Sequence, residues 1–406
     1  MNASRGLVAS VLLVATVALA GVGSARAQAP GSAASAISYV TVPGHPFATV
    51  TTRDGKWLFV SLTTANPRSV NGVAMLRRDA GKTTLEKVFL VEGEPTGMVL
   101  THDDKLLVVA VGDFVVFLDV ARMIAKSDDP ILGFISDGDF ASSVYVNITP
   151  DDRFLFVSDE NLATITVINL EKARAGGFPQ SAIVGKIPTG IAPIALTFSP
   201  DGRWLYTTSQ VAQKDWGWPI DCKPEGEDPS KATPQNPQGA VIVVDVARAE
   251  SDPASSVVTR VPAGCSPVRL AMTPTGDRVF VTARNSNALL AFDAAKLRTD
   301  APHALVGTVP VGTAPVGVAS VDGGKHVLVT NSNRFGADRT ARQTLTAIDA
   351  AKVAEGRAAV ITDLPAGSFP REFGQTPDGR TVFVANYVSN EIEIIDLDRL
   401  SLRSAP

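Results

Sequence analysis

The sequence predicts an all-β protein, a ring of seven four-stranded antiparallel blades or seven-bladed β-propeller, on three observations. A block opens at Pro46, Pro95, Ser143, Pro193, Pro267, Pro315 and Pro370, and eight residues after each opening stand Asp54, Asp103, Asp151, Asp201, Thr275, Gly323 and Asp378, at the place of a turn. The openings lie 49, 48, 50, 74, 48 and 55 residues apart, so the unit is near fifty residues with one insertion in the fourth. Within each unit, short β-branched and apolar runs have strand length and show no helical period.

Taken in order, residues 1–27 combine Arg5, an apolar run from Leu7 to Ala20 and the sequence Ala25-Arg26-Ala27, the pattern of a secretory signal peptide cut before Gln28. Gly21 and Gly23 interrupt the run, and no later stretch is apolar for long enough to span a bilayer once the signal is removed. Residues 28–36 read as a flexible linker. A periplasmic or secreted monomer is the expectation. Cleavage removes Arg5 and Arg26 and no acid, which takes the formal charge from −4 to −6 and argues against nucleic acid as a partner.

Residues 37–403 then form one propeller domain. Blade four shows the pattern best. Ile194–Ser199 is the inner strand, Ser199-Pro200-Asp201-Gly202 suits a type I turn, Arg203–Thr208 pairs back, and Ala240–Val246 is the third strand. Third strands are expected also at Thr164–Leu170, Leu289–Asp293, Thr344–Asp349 and Glu391–Leu397, each followed by a weakly patterned fourth segment. The last unit ends at Leu397–Arg403 without a convincing fourth strand. An open ring exposes unpaired edges, so Ile37–Val42 is expected to complete that last blade.

The strings APIALTFSPDGRWLYTTS, SPVRLAMTPTGDRVFVTARNSNALLAFD and FPREFGQTPDGRTVFVANYVSNEIEIIDL resemble the YVTN-type β-propeller repeat of secreted bacterial propellers and surface-layer proteins. The resemblance covers residues 37 to about 400 and implies the fold. Similar blades occur in lactonase-like enzymes, in redox enzymes and in proteins without assigned chemistry, so it implies no single activity. It does imply which face is used: the loops before each inner strand and between second and third strands share one side, the usual ligand side.

Cys222, between the second and third strands of blade four, and Cys265, before Pro267, both fall on that side in adjacent blades. The two cysteines of an exported chain are therefore expected to bond. The insertion at 210–239 has prolines at 219, 224, 229, 234 and 237 and reads as an irregular loop. It is either a lid offering Trp216 and Trp218 to a ligand or a small satellite core.

At the third position of the seven units stand Ala48, Gly97, Tyr145, Ala195, Arg269, Gly317 and Glu372. Four are tiny, so Tyr145, Arg269 and Glu372 stand out as axial site candidates. Arg371 and His45 adjoin that position, and the ends of second strands add Arg284, Asn285, Asn331, Asn333, Arg334 and Asn386. These could make a mixed-charge pocket for a carboxylate or a sugar-like ligand; the alternative is an Arg269–Glu372 ion pair with asparagines capping turns.

No haem-attachment motif, phosphate loop or nucleophile elbow is present, and His45, His102, His303 and His326 are scattered. No cofactor is expected, although an oxygen-ligand Ca²⁺ site stays open. The function expected is a binding module for a small molecule, glycan or protein. The alternative is a lactonase-like hydrolase at the channel mouth, with Glu372 activating water, Arg269 or Arg371 stabilising the oxyanion, and His45 near.

Overall fold

The computed structural model describes residues 36–64, 70–79, 81–227 and 230–402, so the expected signal peptide and nearly all of the linker lie outside the described residues. Seven four-stranded antiparallel sheets stand in a ring. Their inner strands are His45–Thr51, Pro95–Leu100, Ser143–Ile148, Ile191–Phe198, Pro267–Met272, Pro315–Val321 and Pro370–Gln375, for blades 1 to 7. Blades 1 to 6 run outward in chain order. Blade 7 does not: its outermost strand is Ile37–Thr41, antiparallel to Glu391–Asp396 with Ile37 opposite Ile395 and Thr41 opposite Glu391. Val42 N–H adds a bond to the Asn390 carbonyl at 2.9 Å.

The described residues form seven apolar clusters, and each lies between two consecutive blades. Second and third strands are thus covered on both faces. That is why they are continuous apolar runs such as Val327–Val329 and Val382–Ala385, without the alternation of a half-exposed sheet. The closing interface, between blades 7 and 1, packs Phe383 and Ile392 against Leu58, Leu62 and Leu76.

The repeated aspartate holds the turn. Thr52, Thr101, Thr149, Ser199 and Thr376 each donate a hydroxyl to the aspartate two residues on, at 2.5–2.7 Å. In blade 5, where Thr275 stands at that position, Asp277 takes over and accepts from Thr273 at 2.6 Å.

Two expectations need correction. The weakly patterned stretch after each third strand is not all strand: Asp119, Asn169, Asp245 and Asp293 cap the short helices Val120–Ile124, Leu170–Ala175, Val246–Ala249 and Ala294–Thr299 before the fourth strand begins. Helices of four to six residues are too short to show a 3.6-residue period. The insertion also holds some order, because the second strand continues to Val211 and Ile220–Cys222 pairs with Asn236–Pro237.

One device aims the axial side chains. Register slips near the start of each inner strand, a β-bulge that leaves the third-position N–H outside the ladder. In five blades a hydroxyl of the second strand accepts it: Ser61 from Ala48, Ser158 from Tyr145, Thr208 from Ala195, Thr282 from Arg269 and Thr330 from Gly317. The same hydroxyl donates to the next blade's inner strand, at Thr96, Ile194, Val268, Val316 and Arg371 carbonyls respectively. Adjacent inner strands therefore come very close. A Cβ added to Gly317 would meet the Arg371 carbonyl oxygen at 2.3 Å, which excludes any larger residue there.

Candidate functional site at the channel mouth

The bulges turn the three large third-position side chains toward the axis. Arg269 crosses from blade 5 to blade 7, where its Nε donates to Glu372 Oε2 in a pair only 4% and 5% exposed. The guanidinium also lies 5.2 Å from the Tyr145 ring centroid and 6.0 Å from that of Phe47. Burial, the largest influence, works to lower the Arg269 pKa, but the Glu372 carboxylate together with Tyr145 and Glu160 holds the group above its ordinary value. The same carboxylate, followed by burial, pushes the Tyr145 hydroxyl well up. Arg269 Nη2 has no partner.

Beside this pair opens a cavity of about 300 Å³ on the side bearing the cysteines. Its wall is a register that the sequence reading passed over. The second residue of every unit lines it: Phe47, Thr96, Val144, Ile194, Val268, Val316 and Arg371. Six of the seven are uncharged, so Arg371 is the one charge in that ring. Its guanidinium carbon lies 4.0 Å from the Phe47 centroid, 5.1 Å from Tyr387 and 5.5 Å from Phe369. Nε is buried without a partner, and the side chain forms no hydrogen bond or ion pair with any described residue. Burial, then repulsion from Arg269 and Arg334, pulls its pKa down to about 9.

Above the ring sits a rim that includes Glu94, Glu160, Gln210, Arg284 and Arg334. Arg284 is tied down by a bidentate pair with Glu225 of the insertion, at 2.6 and 2.5 Å, and by Gln210 at 2.6 Å. Arg334 lacks an ion pair, and burial, followed by Arg284, lowers its pKa. Glu160 accepts one bond, from Gln210 Nε2 at 3.1 Å. Cys222 and Cys265 are bonded with Cα atoms 5.5 Å apart; closing 43 residues restricts the unfolded chain by roughly 4 kcal/mol in the loop-entropy model. Asn285 adds a hydrogen bond to the Lys223 carbonyl at 2.7 Å, so the insertion is moored to blade 5 at three points.

Several sequence candidates stand elsewhere. His45 is buried, stacks on Tyr387 at 4.7 Å and shares a 2.6 Å bond with its carbonyl, outside the cavity wall. Asn331 and Asn386 are buried inside their blades, bonded to Thr344 and Thr346 and to Glu393 respectively, where they serve the sheets. Asn333 adopts φ 44° and its carbonyl closes a turn to Gly336. Trp216 and Trp218 meet each other edge to face and pack against the apolar cluster between blades 3 and 4, with Arg260 over Trp216 at 5.1 Å; they form the satellite core. Missed by sequence reading were Phe47, Glu94, Glu160, Gln210 and Glu225. A signal for two of them existed, because Glu160 and Gln210 occupy the same register as Arg284, one residue past the second-strand core.

Two further buried carboxyls do not line the cavity, although Asp137 accepts from the Ser143 hydroxyl at its edge at 2.5 Å. Burial raises Glu393 from 4.5 to about 7 against the opposing Asn386 bond, and raises Asp137 from 3.8 to about 7. Such groups hold their proton more tightly folded than unfolded, so their contribution is complete below pH 4 and is lost as pH rises toward 7. At about 1.4 kcal/mol per tenfold change in proton affinity, Glu393 alone accounts for roughly 3 kcal/mol. The melting temperature is expected to fall between pH 5 and pH 8, and to fall less in Glu393→Gln. A flat profile in the wild type would contradict this assignment.

Among the described residues, no three His, Cys, Asp or Glu side chains gather as a metal-binding group, and no helix is long and apolar enough to cross a membrane. No family profile and no curated protein matches the chain. Among solved structures it is similar to Kuenenia stuttgartiensis hydrazine synthase, at 20% identity and a TM-score of 0.65 over 90% of this chain and 98% of that one. It is also similar to a chain of a mitotic checkpoint complex, at 14% identity and a TM-score of 0.63 over 94% and 99%. At these identities the likeness is one of fold, a closed seven-bladed propeller.

Proposed function

We propose that this protein is an exported propeller of the YVTN-repeat type that binds a small molecule in the chamber at its channel mouth. One observation carries the reading: the single charge in the chamber's ring of seven, the half-buried Arg371, holds its Nε–H out of solvent with no protein acceptor among the described residues. Leaving a buried N–H of a charged group without an acceptor costs about 1–3 kcal/mol or more. It is tolerable where a ligand supplies the missing acceptor. A volume of about 300 Å³ suits a small molecule better than a glycan chain or a protein segment.

Binding fits the geometry better than lactone hydrolysis. The proposed general base, Glu372, is committed to Arg269 and does not line the chamber, and His45 is held beneath Tyr387. The test is a thermal-shift screen of carboxylic acids, phosphates, amines, monosaccharides and γ-lactones on the wild type and Arg371→Leu. At least one class should raise the melting temperature of the wild type and leave the variant unmoved. No response to any class, or lactone turnover that disappears in Glu372→Gln, would overturn the proposal.

A further inference from the structure

The chamber is divided by charge. Around the ring, blade 3 stands opposite blades 6 and 7 and blade 2 opposite blade 6, with blade 1 between blades 2 and 7. Glu94, before the inner strand of blade 2, and Glu160, at the end of the second strand of blade 3, occupy one wall. Arg371 of blade 7 and Arg334 of blade 6 occupy the other. Neither wall neutralises the other: among the described residues, no ion pair joins these four side chains to each other or to anything else. The two sides are nonetheless close, since the Glu160 charge acts on Arg334 and also on Arg269. Between the walls, Val144, Ile194, Val268 and Val316 supply an apolar lining.

Each simple ligand class leaves something unmatched. A dianion such as phosphate satisfies the arginines but faces two carboxylates within a chamber of about 300 Å³. An amine satisfies the acids and leaves Arg371 unpaired. A molecule charged oppositely at its two ends matches both walls, and a short aliphatic spacer would lie against the valine and isoleucine side chains. The unpartnered N–H groups of Arg371 Nε and Arg269 Nη2 suit a planar carboxylate.

We propose that the ligand is a zwitterionic aliphatic amino carboxylate, its carboxylate on Arg371 and Arg269 and its ammonium group toward Glu160 and Glu94. This rests on the chamber being a ligand site, and adds to that reading the chemical class of what fills it.

The experiment is isothermal titration of the folded protein with glycine, 4-aminobutanoate and 6-aminohexanoate, against butanoate, hexanoate, butylamine, succinate and inorganic phosphate. One amino carboxylate is expected to bind at least about tenfold more tightly than its amine-free analogue, the size of one charge-assisted hydrogen bond. In Glu160→Gln that advantage should shrink to a few-fold while the plain carboxylate binds no more weakly than to the wild type, and somewhat more tightly if the lost repulsion is felt. Glu94→Gln should shift it in the same direction, and Arg371→Leu should abolish binding of every carboxylate. If butanoate, succinate or phosphate binds the wild type as tightly as the amino carboxylates, the zwitterion assignment falls and a simpler anion chamber stands. If no probe in this set binds, the assignment falls as well, and the broader small-molecule reading is then decided by the library screen.

Discussion

Glu372→Gln is expected to destabilise the protein by about 3–5 kcal/mol, the usual cost of removing one partner from a buried ion pair. The magnitude follows from where Arg269 sits. Its guanidinium is almost fully enclosed at the axis, its Nη2 already lacks a partner, and its remaining neighbours are the Tyr145 and Phe47 rings and its own strand's Val268 carbonyl. Without the Glu372 carboxylate, the one carboxylate still acting on Arg269 is Glu160, which makes no ion pair with it, so the pair-breaking variant pays most of the desolvation penalty. The double variant Arg269→Met, Glu372→Leu removes both charges and should recover most of the loss. Urea denaturation midpoints measure both. A single-variant loss below about 1 kcal/mol would mean that the pair is solvated in solution and does not hold the axis together.

Removing residues 37–42 is expected to lower the melting temperature by about 10 °C or more, taking roughly 2–4 °C per kcal/mol for a domain of this size. The deletion strips five paired residues from the edge of blade 7, uncovers Glu391–Asp396 and takes Val42 out of the interface between blades 7 and 1. Concentration-dependent association should follow, because the bared edge is a template for another chain. Deleting most of residues 223–236 should cost less. That change loses the Glu225 pair with Arg284, but Gln210 still bonds Arg284 and every blade keeps four strands. Equal melting temperatures for the two deletions would contradict the view that the N-terminal strand locks the ring.

The blades were legible because each is written locally. Proline, turn aspartate and apolar runs recur at fixed offsets, and the unfinished last unit together with an orphan first strand points to closure. The cysteine pair was legible for the same reason, since topology alone places Cys222 and Cys265 on one side. The site was read in part. Tyr145, Arg269 and Glu372 stood out as large residues where the sister units carry alanine or glycine, and Arg269 and Glu372 do meet. The neighbouring register was harder to see, because Phe47, Val144 and Ile194 look like ordinary strand residues until the bulge turns them inward. Glu225 was out of reach, since its partner Arg284 lies 59 residues away on another blade. Asn331 and Asn386 misled because a polar residue at a strand end reads the same whether it serves a ligand or, as here, its own sheet.

The way blade 7 is assembled also governs how the molecule can be made. Ile37 must wait for Ile395, so a strand made early is among the last to find its place. Contacts between such distant parts of a chain are slow to form. Until that pairing forms, the folding protein carries two unsatisfied strand margins, and it is then most exposed to misassociation.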